Sequence, residues 1–284
     1  MDIRNLRYFY AITKHGTFSK AAEAMYVTQP ALSQAIKLLE KDLHCSLFVR
    51  GRAIALTAAG ERLREHCTRI FNLMEDVEND LAQIEKGLIG TIRMAVYESI
   101  LLFLLPQIIS AFSAKYPQVQ FEFNIKASSM IEKAVSEGES HFGLMARKAS
   151  SRKLEELILA KYPHNLFVAS GRREEKAELF RELPLFLLGN WQREMLEGKT
   201  DLFTRFPHAR ILNPVNHVAV IRQLIAGGLG LAILPSYVKG KDLRILEEYP
   251  DIMVQVSMVR KPEGNILPAA QKFIEFLQQT LVGS

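Results

Sequence analysis

The sequence predicts a mixed α/β protein in three parts: a small helical head, a long connecting helix and an α/β body. Three observations carry this reading. Two short helices joined by a tight turn lie between Phe18 and Leu43. A heptad-spaced apolar stripe follows from Ala58 to Gly87. From Thr91 onward, strand-like and helix-like segments alternate.

The head comes first. FSKAAEAMYVTQPALSQAIKLLEKDL reads as a helix pair. Thr28 is placed to cap the second helix, and Pro30 suits its first turn, where no intrahelical N–H is needed. Ala21, Ala22 and Met25 face Leu32, Ile36 and Leu39. Gln29, Ser33, Gln34 and Lys37 then occupy the outer face. Amides and hydroxyls at the N-terminal end of a protruding helix suit the DNA major groove. An ordinary helical hairpin with a polar face is the competing reading, and three neighbouring features weigh against it.

The first is a wing. Leu47 to Thr57 (LFVRGRAIALT) reads as a small β-hairpin with Arg50 and Arg52 at its tip, suited to phosphates or a minor groove. The second is charge placement. Residues 1–60 hold eight Lys/Arg and four Asp/Glu, a net of +4 in a chain whose total is +5. Such a local excess fits a polyanionic partner. The third is the stripe itself. Leu63, Cys67, Ile70, Met74, Val77, Leu81 and Ile84 recur at spacings of four and three. That a/d pattern predicts pairing with a second copy of the same helix, with packing on the chain's own C-terminal domain as the competing reading.

LRYFYAITKHGTFSKAAEAMYVTQPALSQAIKLLEKDL, followed by LF, an arginine and LTAAG, resembles the N-terminal signature of the LysR-type transcriptional regulators across residues 1–62. Three departures stand out. The wing is one residue shorter than the family's usual length. Gln34 stands where a basic residue is common, and His44 replaces a helix-ending glycine. His44 must therefore close the helix as a non-glycine residue, with φ > 0.

The composition limits the alternatives. The chain has 284 residues, 48% of them hydrophobic, long for one domain and able to supply a sizeable core. MDIRNLRYFY lacks a signal-peptide h-region, and the most apolar run, Ile100 to Leu105, is too short to span a bilayer. A cytoplasmic protein without membrane attachment is expected. Cys45 and Cys67 form no disulfide framework, and seven histidines show no ligand spacing. No HExxH, CxxC, GxSxG or phosphate-loop pattern occurs, so no metal, cofactor or catalytic residue is expected. Gly227 to Gly230 (GGLG) end a helix and enter a strand, the wrong order for a dinucleotide fingerprint.

In the body, strands are expected at 91–96, 119–125 and 141–146, with helices from Ser99 to Tyr116 and Ser129 to Glu137. This βαβαβ order predicts a parallel sheet with right-handed crossovers. A second series follows: LILAKYPHNLFVAS, PLFLLGN, helices Trp191 to Phe203 and Val215 to Ala226, then LAILP. IMVQVSMV (252–259) and a helix from Pro268 to Leu281 complete the chain. The resemblance implies two lobes like those of type 2 periplasmic binding proteins, with crossovers near Arg147 to Leu159 and Val256 to Arg260. The expected boundaries are 1–58 for the winged helix-turn-helix, 59–89 for the linker helix and 90–284 for the effector domain. Within it, lobe I takes about 90–160 and 257–284, and lobe II about 161–256.

Ligands of such sheets sit beyond the carboxyl ends of strands. Tyr97, Glu98 and Ser99 fall there, as do Ala127, Ser128 and Ser129. Two helix N-termini with hydroxyls suggest an anion site, with Arg147 assisting. Asn190 and Trp191, then Asn216 and His217, open second-lobe helices. Plain helix caps for the serines and lobe core for Trp191 remain open. Glu98 hints at an amine or hydroxyl on the effector, or at a protein partner such as Arg147.

The expected function is a DNA-binding transcriptional regulator that senses a small, carboxylate-bearing metabolite. Its expected partners are double-stranded DNA, the effector, a second copy in a dimer or dimer of dimers, and RNA polymerase. The alternatives are a ligand-independent architectural DNA-binding protein and a solute-binding module.

Overall fold

A computed structural model describes residues 2–49, 55–86, 88–213, 217–262 and 266–281. The chain divides into two compact units, residues 1–82 and 83–284.

The first unit is helical. It contains α1 (Ile3–His15), α2 (Phe18–Ala24), α3 (Gln29–Leu43) and most of α4 (Ala58–Lys86). Each of the first three starts on a capping side chain. Asp2, Thr17 and Thr28 accept from the backbone N–H of Arg4, Lys20 and Ala31. His44 closes α3 at φ 53° and ψ 30°, the left-handed geometry required of it. The core takes Ala21, Ala22, Leu32, Ile36 and Leu39 as expected, together with Leu6, Phe9, Ile12 and Leu47. Phe48 at the base of the wing packs with tilted rings, 5.5 Å between centroids, against both Phe9 and Phe18. The wing's two arms meet where Val49 N–H donates to the Ala55 carbonyl and Phe48 pairs with Leu56. Arg50 and Arg52 lie outside the described residues.

Helix α4 departs from the expected seam. Cys67 has no exposed surface and belongs to the head's own core, and Leu63 and Ile70 pack against that core. The first two turns of the stripe are therefore spent within the head and leave Cys67 nothing to offer a second helix. Gly60 shows how closely α4 is seated, since a Cβ there would collide with the Leu47 carbonyl oxygen. Further along, Leu73, Val77 and Leu81 are 65%, 51% and 63% exposed. Leu73 was not part of the expected stripe. The Ile84 side chain lies outside the description.

The second unit is built on one eight-stranded mixed sheet, in the order β2-β1-β3-β8-β4-β7-β5-β6. β1 (Gly90–Val96) runs parallel to β2 (Val119–Ile125) and β3 (Phe142–Met145). Helices α5 (Glu98–Phe103), α6 (Leu105–Lys115) and α7 (Ser128–Ser136) make the crossovers. The single helix expected from Ser99 to Tyr116 is broken at Leu104, because Pro106 suits the first turn of a helix and not an interior.

β4 (Glu155–Ala169) and β8 (Leu243–Arg260) form a long antiparallel ribbon through the middle of the sheet, with register shifts at Ile158/Ala160, Pro163/His164 and Leu166/Phe167. Beyond it lie α8 (Lys176–Glu182), β5 (Leu185–Phe186), α9 (Asn190–Lys199), α10 (Leu202–Arg205), β6 (Ile211–Leu212), α11 (Val218–Ala226) and β7 (Leu231–Pro235). A 3-10 turn, Ser236–Val238, follows β7, and α12 (Pro268–Leu281) ends the described fold. Three further expectations change. Trp191 to Phe203 is two helices, parted by the extended Thr200. α11 begins at Val218 in place of Val215, and β8 begins nine residues before Ile252.

The apolar residues collect on both sides of the ribbon. Ile92, Met94, Phe112, Phe142, Phe273 and Leu277 pack in one core. Leu166, Leu179, Leu185, Leu196 and Ile233 pack in another. Tyr97 and Tyr237 touch both the first core and a third around Phe167, Ile221 and Leu234. The two lobes therefore meet over tyrosines.

Candidate DNA-reading helix and inter-lobe cleft

Leu32, Ala35, Ile36 and Leu39 face inward from α3, which leaves Gln29, Pro30, Gln34 and Lys37 exposed and Ser33 half-buried. The expected outer face is thus available as one surface. Two features of it were not read from the sequence. The Ser19 hydroxyl donates to Gln29 Oε1 at 3.0 Å. Tyr26, in the turn before α3, adopts φ 55° and is 97% exposed. No sequence period marks either, since one depends on side-chain reach across the turn and the other on backbone geometry.

In the second unit, α5 is tied across the lobes by three side chains. Glu98 Oε2 lies 3.0 Å from His217 Nδ1, at the residue that caps α11. Ser99, fully buried, shares a 2.8 Å hydrogen bond with the Tyr237 hydroxyl. Arg222 stacks over Phe103 at 5.3 Å. Tyr237 also packs edge-on against Tyr162 at 5.1 Å. Burial pushes the Tyr237 phenol well above its usual range, so it stays neutral. Burial, and then the neighbouring Glu98, raises Tyr97. Tyr162 and Tyr237 were missed. The only signal was an aromatic just past LAILP, the end of a strand bordering the cleft.

Two expectations about charge are corrected. The partner of Glu98 is His217, not Arg147. Arg147 instead pairs with Glu132 at 2.9 Å and donates to the Ser128 carbonyl and the Ser150 hydroxyl. Its guanidinium is largely committed to holding the crossover that follows β3. The Ser99 hydroxyl is likewise spent on Tyr237, so a ligand would have to displace it. Ser128 is half-buried and Ser129 exposed at the start of α7. Trp191 is 51% exposed on α9 rather than in the lobe core. The Asn190 side chain and Asn216 lie outside the described positions. Buried Gln192 instead anchors the start of α9, accepting from Leu188 N–H and donating to the Ile233 carbonyl, both at 2.7 Å. Among the described residues no cluster of three or more His, Cys, Asp or Glu could hold a metal ion, and no helix is long and apolar enough to cross a membrane.

A capped helix-turn-helix with a wing, followed by a two-lobed mixed α/β unit, defines a DNA-binding regulator with an effector-type domain. Residues 3–61 match the lysR-family bacterial regulatory helix-turn-helix model, and residues 85–282 match the LysR substrate binding domain. The chain belongs to the LysR family of transcriptional regulators. It is 28% identical to the HTH-type transcriptional regulator CitR of Bacillus subtilis (strain 168), over 98% of each chain. It is 30% identical to a probable RuBisCO transcriptional regulator of Porphyra purpurea, over 84% of this chain and 80% of that one. In fold it resembles CbnR, a LysR family transcriptional regulator, with a TM-score of 0.74 and 22% identity over 99% of both chains. It also resembles full-length CbnR in complex with its target DNA, with a TM-score of 0.73, 22% identity, and coverage of 99% of this chain and 100% of that one.

Proposed function

We propose that the protein is a cytoplasmic regulator whose head reads an interrupted inverted repeat and whose lobes sense a small carboxylate-bearing metabolite. The observation that carries the DNA half is the outer face of α3. Gln29 and Ser33 reach base edges in the major groove, Pro30 and Gln34 share that DNA-facing surface, and Lys37, with Arg50 and Arg52 of the wing, contacts phosphates or the minor groove. CbnR has been seen with its target DNA, which supports this reading.

A homodimer forms along the exposed part of α4, through Leu73, Val77 and Leu81, with Met74 and Ile84 alongside. Two dimers associate on DNA. The effector enters between the lobes, where Ser128 and Ser129 offer the start of α7 to its carboxylate. Tyr97, Glu98 and Ser99 lie on the same lobe, His217, Trp191 and Asn190 on the second lobe, and Arg147 holds the Ser128 carbonyl. Binding replaces the Ser99–Tyr237 and Glu98–His217 contacts. The lobes then shift, and with them the spacing of heads on DNA and their contact with RNA polymerase. That coupling requires different effector affinity in the two arrangements.

Footprinting on the gene's own upstream region, with and without a panel of small carboxylates, tests both halves. A protected inverted repeat whose extent changes with one carboxylate is the expected result. Protection that ignores the whole panel would leave a ligand-independent architectural protein.

A further inference from the structure

We infer that Ser19 sets the base preference of this protein by fixing the orientation of the Gln29 amide. The inference rests on α3 as the DNA-reading helix and adds a residue from outside that helix.

Gln29 is the first residue of α3 and is exposed, so its side chain is free to rotate unless something holds it. A carboxamide carries an acceptor at Oε1 and two donors at Nε2. A half-turn about its last bond exchanges them, so a loose glutamine accepts either kind of base edge. Ser19, in α2, donates its hydroxyl to Oε1 at 3.0 Å. That bond engages the acceptor end and leaves the Nε2 donors to face outward.

The major groove gives this orientation a meaning. Guanine presents two acceptors, N7 and O6, and thymine presents O4, whereas cytosine presents only the N4 donor. An outward-facing NH2 therefore favours guanine or thymine and opposes cytosine. A bidentate reading of adenine needs Oε1 to accept from N6 while Nε2 donates to N7. With Oε1 committed to Ser19, that reading is weakened. Ser19 is a positioning residue here, acting through Gln29. It is exposed on α2 and takes no part in the head's core, so its removal leaves the fold intact.

The test uses the full chain. Selection from a randomised duplex library defines the preferred site, and a parallel selection with Gln29→Ala marks the base pair whose preference that glutamine carries. Anisotropy titrations then compare all four bases at that position for wild type, Ser19→Ala and Ser19→Thr. We expect Ser19→Ala to lose about threefold to tenfold of the discrimination against cytosine, the worth of one neutral hydrogen bond. Binding to random duplex should be unchanged, and Ser19→Thr, which keeps the hydroxyl, should restore the wild-type pattern. If Ser19→Ala discriminates as wild type does while Gln29→Ala does not, the positioning role is overturned and base reading by Gln29 survives. If Gln29→Ala changes no base preference, the reading beneath it falls, and Ser19 has nothing to position.

Discussion

The Glu132 carboxylate lies 2.9 Å from the Arg147 guanidinium and also accepts from the backbone N–H groups of Ser150 and Ser151. A helix side chain thereby pins the loop by which the chain leaves lobe I. Glu156 holds the same loop from the other side, accepting from Ala149 N–H and from Gln255 and Ser257. Truncating Glu132 to alanine would strand two backbone donors, at about 1–3 kcal/mol. Amide exchange at Ser150 and Ser151 should accelerate, with little change in the head. Unchanged protection there would show that Glu132 does not hold the loop.

Cys67 and Cys45 should differ sharply in reactivity. Burial in the head's core raises the Cys67 thiol to about 11, so at pH 8 almost none of it is thiolate. Iodoacetamide should modify Cys45, which is partly exposed, well before Cys67. Labelling of Cys67 should appear only with unfolding. Mass spectrometry of timed digests reads this directly, and equal labelling of the two would place Cys67 outside the core.

The division of α4 separates two substitutions that the heptad pattern alone treats alike. Val77→Asp falls on exposed surface and should leave the head folded but yield smaller species on sedimentation. Ile70→Asp falls against the head core and should lower thermal stability of the head itself. A Val77→Asp protein that remains fully oligomeric would move self-association elsewhere.

His164 links stability to pH. It is 5% exposed on β4, with Nδ1 bonded to the Ile252 carbonyl at 2.8 Å. Burial is the main reason its pKa falls below the ordinary 6.5. Below pH 6.5 the unfolded chain therefore binds a proton that the folded chain resists. This contribution is complete above pH 6.5 and is lost as pH falls through the depressed folded value. The urea midpoint of the second unit should drop between pH 7 and pH 5, and less so in His164→Asn. Identical pH slopes for the two proteins would remove His164 as the source.

Ser128→Ala and Ser129→Ala should blunt the effector response while leaving DNA affinity without effector nearly unchanged. Each hydroxyl bond to a carboxylate is worth about 1.5–3 kcal/mol. Calorimetry with the panel of carboxylates measures it, and undiminished binding by both variants would remove α7 from the site.

The head was legible because its signals are local. The cap at Thr28 and the alternation of inner and outer faces on α3 need only neighbours in sequence. His44 could be assigned its left-handed geometry for the same reason. α12 was found with its bounds intact, since its apolar spacing is unbroken. What stayed hidden depends on distant contacts. The early part of β8, with Tyr249-Pro250-Asp251, shows no alternation and is a strand because β4 pairs with it. The partners of Glu98, Ser99 and Arg147 lie 119, 138 and 15 residues away in the chain, and spacing carries no trace of such pairings. The stripe on α4 was visible, but the head's claim on Cys67 was not.

The ribbon of β4 and β8 also sets an order of assembly. β3 finds its second neighbour only when residues 257–260 arrive, and the core around Phe112 and Phe142 needs Phe273 and Leu277 from α12. During synthesis, which runs from the N-terminus, the head can close once its share of α4 has emerged. The first lobe must instead wait, with one edge of β3 bare, until the whole second lobe has been translated. A ribosome stalled anywhere between residues 170 and 250 would therefore display a finished DNA-reading head joined to an unfinished sheet. Nascent chains of that length are the ones most in need of a chaperone.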